Sequence, residues 1–190
     1  MYESLRHFIN NYAATTIDDA TFDVVKAAFT QKKLRRKQYL LQEGEVCKYI
    51  GFITQGAMRQ YSVDEKGAEH IVELAQENWW VGDRESFYML TPSRYNIDAL
   101  EASELLLLTN ANLQNLLDTV PAIGKMLRML DQRNAIATQQ RLHATLTYPA
   151  EQRYNEFIKN YPTALNRFPL HMIASYLGIS PETLSRIRRK

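Results

Sequence analysis

The stretch FPLHMIASYLGISPETLSRIRRK, Phe168 to Lys190, decides how the rest of the chain is read. Pro169 can open a helix, because the first turn has no intrahelical partner for the N–H that proline lacks. Ile173, Ala174 and Leu177 lie three or four residues apart and form one apolar stripe. Ala174 is small where a second helix must cross closely. Gly178 falls at the end of that helix, where positive φ costs glycine nothing, and Ile179 can plug the angle that follows. Ser180 is a good N-cap, Pro181 a good first helical residue, and Glu182 and Thr183 suit a first turn. Leu184 and Ile187 continue the stripe inward. Thr183, Ser185 and Arg186 are left with Glu182 on or near the outer face. Two short helices joined by a tight turn, the second ending in a basic run, make the pattern of a helix-turn-helix, whose second helix fits the major groove of DNA.

The outer face has the chemistry for reading bases. Arg186 can donate two hydrogen bonds to guanine O6 and N7, and Glu182 can accept from a cytosine amino group. Ser180, Thr183 and Ser185 can reach phosphates or base edges. Arg188, Arg189 and Lys190 can neutralise backbone phosphate, which adds affinity without sequence information. The plainer alternative is a helical hairpin with a solvated basic end. The basic run alone would not decide between them; glycine, cap, small residue and apolar spacing together favour DNA.

Charge supports the same end of the chain. The net charge of +2 hides an asymmetry: residues 167–190 hold five Lys and Arg against Glu182, while the remainder holds 18 basic against 20 acidic side chains. An electrostatic footprint on nucleic acid requires such a positive region. At 190 residues the chain can bury one sizeable core and a small second one. No apolar run approaches a membrane span, and the longest, Leu105 to Leu108, suits a buried strand. The N-terminus lacks the order of a signal peptide. Cys47 is the one cysteine, which excludes an internal disulfide and is compatible with a reducing cytoplasm.

Upstream, residues 2–30 read as helical, with Leu5, Phe8, Ile9 and Tyr12 in one stripe. Thr16 or Asp18 caps a second helix carrying Phe22, Val25 and Phe29. From about 34 to 108 the texture becomes short β segments: 39–41, 49–54, 57–63, 69–75, 97–101 and 104–109. Turns at Gly44, Gly56 and Gly67 separate the first four, a spacing that suggests a sandwich or small barrel. A short helix carries Leu113, Leu116 and Leu117. Pro121 then begins a long helix to about Leu146, with Ile123, Leu127, Leu130 and Ala137 near heptad spacing and Asn134 in the same stripe. Such a helix can pair with its twin, a buried Asn fixing register; packing on its own β domain is the alternative. Tyr148-Pro149 breaks it, and residues 150–159 form a further helix.

This order resembles the Crp/Fnr family of bacterial transcription regulators, over nearly the whole chain. The β-roll match rests on Gly44-Glu45, Tyr49-Ile50-Gly51-Phe52-Ile53, Gln55-Gly56, Gly67 and Trp80-Val81-Gly82-Asp83. The C-terminal match rests on Arg153, Ile173-Ala174, Leu177-Gly178-Ile179-Ser180 and Glu182-Thr183-Leu184-Ser185-Arg186. The resemblance implies an α+β fold of N-terminal short helices, an antiparallel β-roll of jelly-roll type, a long dimerisation helix and a C-terminal helix-turn-helix. It divides the chain into a sensor at 1–120, the dimerisation helix at 121–147 and a DNA-binding unit at 148–190 without a following β-wing. It further implies a homodimer on a two-fold symmetric double-stranded DNA site, with RNA polymerase as a further partner and no membrane.

The effector pocket departs from the family pattern. Cyclic-nucleotide-binding members carry Gly-Glu and then Arg followed by Ser or Ala. Here the pair is Gly82-Asp83, one methylene shorter, and the nearest arginine, Arg94, falls one residue late and is followed by Tyr95. Thr138 lies about where the family offers a hydroxyl to the ligand base. These differences argue for a repurposed pocket with an unidentified small-molecule effector, and against cAMP held in the usual way. Pro181 likewise replaces a base-contacting residue of many relatives. An iron–sulfur cluster needs several cysteines, and His7, His70, His143, His171 and Cys47 are not paired at haem-ligand spacing. No phosphate loop, nucleophile elbow or metal-ligand cluster speaks for an enzyme. A ligand-binding module with a weakened DNA-binding domain is the second reading.

Overall fold

A computed structural model describes residues 1–189. Two helices open the chain: α1 (Tyr2–Ala13) and α2 (Asp19–Ala28). Of the two candidate caps, Asp18 holds the start of α2, its carboxylate accepting from the Thr21 N–H at 2.8 Å. Eight strands follow in two antiparallel four-stranded sheets. The first has the order β1 (Thr30–Leu34), β8 (Ser103–Thr109), β3 (Tyr49–Gln55), β6 (Trp80–Val81). The second has the order β2 (Tyr39–Leu41), β7 (Asn96–Ala99), β4 (Met58–Val63), β5 (Glu69–Ala75).

The apolar run in β8 explains its place. Leu105 to Leu108 are all buried, because a strand between β1 and β3 shows one face to the opposite sheet and the other to helices. β1, by contrast, was not legible as a strand. Its sequence TQKKL has no apolar alternation, and only Leu34 is buried. It pairs through its backbone at a sheet edge, where lysines also discourage further strand addition.

Between β6 and β7 lies a short helix, α3 (Arg84–Met89). α4 (Asn110–Thr119) leads to the long α5 (Pro121–Thr147), which starts with Pro121 as expected. Ala122, Ile123 and Met126 of α5 are buried in the main core with Leu5, Phe8 and Ile9 of α1. Beyond Asp131 most of α5 is exposed, so only its first half packs on its own roll.

Four helices end the described chain: α6 (Ala150–Asn160), α7 (Ala164–Arg167), α8 (Leu170–Leu177) and α9 (Pro181–Arg188). Their core holds Phe157, Ala164, Phe168, Met172, Ile173, Ala174, Leu177 and Leu184, continuous with Ala57, Tyr61, Ile71 and Leu74 of the second sheet. The C-terminal helices therefore share a core with the roll. The mixed architecture of short helices, antiparallel roll and long helix is the one the sequence implied. Among the described residues, no helix is long and apolar enough to cross a membrane.

Candidate functional site

The α8–α9 pair is built as its residues dictate. α8 stops at Gly178, whose φ of 65° is left-handed and whose N–H closes onto Ser175 O at 3.0 Å. The Ser180 hydroxyl then caps α9 by accepting from the Thr183 N–H at 3.1 Å. Leu184 is buried at 1 % exposure, and Ile179 packs against the same core. From behind, Arg153 of α6 donates from Nη1 to Leu177 O at 2.8 Å, fixing the last turn of α8.

This leaves Glu182, Ser185, Arg186, Arg188 and Arg189 exposed and Thr183 half-buried. The Glu182 backbone N–H and the Ser180 hydroxyl hold the Glu182 carboxyl below the usual carboxylate range, so it is an ionised acceptor at neutral pH. Ser180 itself is spent on capping. Lys190 lies outside the described residues.

A second feature is a cleft of about 1470 Å³ between the roll, α5 and the C-terminal helices. Gly82, Asp83, Tyr95 and Thr138 all line it, as do Glu73 and Arg141. Asp83, however, is 4 % exposed and already engaged. It caps α3 by accepting from the Glu85 N–H at 3.1 Å and the Ser86 N–H at 3.4 Å, and it accepts from the Ser93 hydroxyl at 2.7 Å. Arg94 departs from the sequence expectation. Its side chain is 68 % exposed, pairs with Glu85 at 3.1 Å and is not among the residues lining the cleft. The physical reason is register: Ser93 takes the inward position one residue earlier, and its small hydroxyl completes the cap that Asp83 begins.

Other charges line the cleft instead. Burial pushes the Glu73 carboxyl up to about 7, against the opposing pull of Arg84 and Arg141. Arg84 itself pairs with Asp131 of α5 at 2.7 Å. Arg141, also on α5, donates to Val72 O at 2.6 Å and lies over the Tyr176 ring of α8 at 4.0 Å. One guanidinium thus touches the long helix, the edge strand β5 and the C-terminal helices.

Two more contacts tie α7 and α8 to the roll. The Ser175 hydroxyl accepts from the Ile71 N–H at 2.9 Å and donates to Glu69 O at 3.3 Å, so a side chain of α8 pairs the open edge of β5. Arg167 forks onto both Glu77 oxygens at 3.1 Å and reaches Glu101 at 2.7 Å. None of these partnerships has a local signal. Ile71 and Ser175 are 104 residues apart, and an exposed-looking serine in a helix carries no mark of a distant strand.

The comparisons with known proteins agree with this architecture. The model of the cyclic nucleotide-binding domain matches residues 31–120. The transcriptional activator protein FnrA of Stutzerimonas stutzeri is 26 % identical over 184 residues, covering 89 % of this chain and 72 % of the relative. The fumarate and nitrate reduction regulatory protein of Vibrio cholerae is 24 % identical over 186 residues, covering 90 % and 73 %. Among solved structures, FixK2 of Bradyrhizobium japonicum superposes with a TM-score of 0.68 over 85 % of this chain and 83 % of that one, at 18 % identity.

The chain is similar to Crp/Fnr-type regulators over most of its length and shares their fold. Its relatives are regulators and not enzymes. In this cleft the carboxylate of Asp83 is taken up by the cap of α3 and by Ser93. Among the described residues there is no group of three or more His, Cys, Asp and Glu able to hold a metal ion.

Proposed function

We propose that this protein is a DNA-binding transcription regulator that reads a two-fold symmetric site as a homodimer. The observation that carries the reading is the α9 face. It is capped and braced from behind by Ser180, Leu184 and Arg153, and it presents Glu182, Ser185 and Arg186 to solvent. A rigid helix with an arginine and a carboxylate on its free face can discriminate bases, whereas a flexible basic tail binds only phosphate. Dimerisation is supported by the distal half of α5. Ile136, Leu142 and Leu146 are 54 %, 58 % and 75 % exposed there, apolar surface on the free side of the helix that a twin helix would cover in part.

The effector pocket is divergent. Cyclic phosphate needs an inward arginine, and a ribose hydroxyl needs a free carboxylate. Arg94 faces solvent, and Asp83 is fully occupied by Ser93 and the start of α3. cAMP therefore lacks its usual partners, and titration calorimetry with cAMP should register no binding heat.

The test is selection of a site from a random-sequence duplex pool by the full chain, followed by Glu182→Ala and Arg186→Ala. Each substitution should cost about 1–3 kcal/mol on the selected site and relax preference at the base pair it contacts. If both variants bind and discriminate as the parent does, α9 does not read sequence.

A further inference from the structure

Glu73 stands where β5, the long helix and the C-terminal helices meet, and the reading of bases by α9 does not use it. It lies opposite Gln60 in the β4–β5 register, and both residues line the cleft. Gln60 is only 6 % exposed. Among the described residues, neither side chain makes a hydrogen bond or an ion pair. A carboxyl set against an unpartnered amide, away from bulk water, is tolerated when protonated and costly when ionised. Each helix packed around it brings a charged or titratable group: α3 brings Arg84, α5 brings Arg141, α6 brings Tyr161 and α8 brings Tyr176. His143, Arg153 and Glu156 also line the cleft.

The two cations differ in their freedom. Arg84 is held by Asp131 at 2.7 Å. Arg141 has, among the described residues, no carboxylate within ion-pair distance. It donates instead to the carbonyl of Val72, the residue beside Glu73, and lies over the Tyr176 ring. Those contacts tie α8 to β5 next to the Ser175 hydroxyl, which accepts from the Ile71 N–H. An ionised Glu73 competes for the same guanidinium, because a charge-assisted pair is stronger than a bond to a neutral carbonyl. Turning Arg141 onto Glu73 draws it away from Val72 O and from the Tyr176 ring.

We propose that Glu73 is a proton-operated latch between the roll and the C-terminal helices: protonated, it leaves Arg141 clamping α8 to β5, and ionised, it takes Arg141 away and loosens α8 and α9. Its titration falls where such a switch is useful, since burial raises the carboxyl to about 7. The docked state holds the proton more tightly than an undocked one does. Docking is therefore fully supported below about 4.5 and weakens as pH rises through about 7. Between pH 6 and pH 8 the docking equilibrium should fall about 10-fold. The consequence for DNA rests on the DNA-binding reading above. A two-fold site demands a fixed distance between two α9 helices. Docking on the roll sets α9 in place before the duplex arrives, whereas an undocked α9 has to be ordered on binding, which lowers affinity.

The experiment follows protection of the Ile71 amide against hydrogen exchange in the full chain at pH 6 and pH 8, corrected for intrinsic exchange and compared with the amides of β4. The parent chain should lose about 10-fold in protection at Ile71 over that interval while β4 holds. Glu73→Gln keeps the shape and cannot ionise, so its Ile71 should stay at the parent's pH 6 level at both pH values. Arg141→Gln should show low protection already at pH 6. The parent and Glu73→Gln are then bound to the selected duplex, and the parent's affinity should fall about 10-fold from pH 6 to pH 8 relative to the variant. Equal pH profiles at Ile71 in the parent and a folded Glu73→Gln overturn the latch. A profile that differs at Ile71 while the two DNA profiles coincide, or a parent that binds DNA relatively tighter at pH 8, overturns its control of α9. Failure of the parent chain to select any duplex overturns the DNA reading and leaves the latch to be decided by the exchange result.

Discussion

Gly56 shows how a single position constrains the roll. It sits at φ 101°, and a Cβ there would come within 2.8 Å of the Ser103 Cα and 2.3 Å of its hydroxyl oxygen. Backbone cannot yield as a flexible side-chain tip can, so Gly56→Ala should destabilise the fold by about 3 kcal/mol, read from the denaturant midpoint. A change under about 0.5 kcal/mol would mean the β3–β4 turn relaxes freely. Glu73 makes a different kind of statement. Burial in the cleft raises its carboxyl from an ordinary value near 4.5 to about 7. A raised acid keeps its proton in the folded state after the unfolded chain has released it. Its stabilising contribution is present below about 4.5 and is lost as pH climbs to about 7. Melting temperature should therefore fall across that window in the parent chain, and Glu73→Gln should flatten the fall and melt higher at pH 8. Parallel curves for the two proteins would show that Glu73 is ionised throughout. The Gln55-Gly56 turn was visible in the sequence because the glycine marks itself. Nothing near Glu73 marks its burial, which comes from α5 and the C-terminal helices closing over β5.

At the scale of elements, period and punctuation served well where an element faces one core, and failed where it does not. α1, the long α5 and the α8–α9 pair were legible from stripes, caps and Gly178. β1 was not, because an edge strand with four exposed residues in five has no apolar rhythm. α3 was missed for an instructive reason: Asp83 read as a ligand carboxylate, and in the fold it is the N-cap that starts the helix. Docking of α8 on β5 is likewise tertiary. The Ser175 hydroxyl supplies the acceptor that the edge of β5 lacks, so Ser175→Ala leaves the Ile71 N–H without its partner. The expected cost is about 1–3 kcal/mol, with faster amide exchange at Ile71 than at residues of β4. Unchanged exchange at Ile71 would place the docking energy in the apolar seam alone.

For the whole molecule, the decisive question is how many chains make the reader. The distal half of α5 contributes little to its own core, and its Ile136, Leu142 and Leu146 are exposed. Ile136→Glu/Leu142→Glu should convert a dimer to monomers in sedimentation equilibrium with little loss of melting temperature. DNA affinity should fall far more than the monomer's stability, because two half-sites are then no longer held together. A parent chain that sediments as a monomer at micromolar concentration would remove the two-fold reading. Local chemistry was determined by sequence alone: that α1, α5, α8 and α9 are helices, where α8 and α9 break, and which side chains α9 can present. These depend on neighbours within four residues, through caps, stripes and backbone conformation. The tertiary structure decided that Ser93 and not Arg94 faces Asp83, that Glu73 lines a cleft under the influence of Arg84 and Arg141, and that Arg141, Arg167 and Ser175 lock the C-terminal helices to the roll. Those outcomes depend on which distant surfaces exclude water together, and a linear pattern does not carry that information.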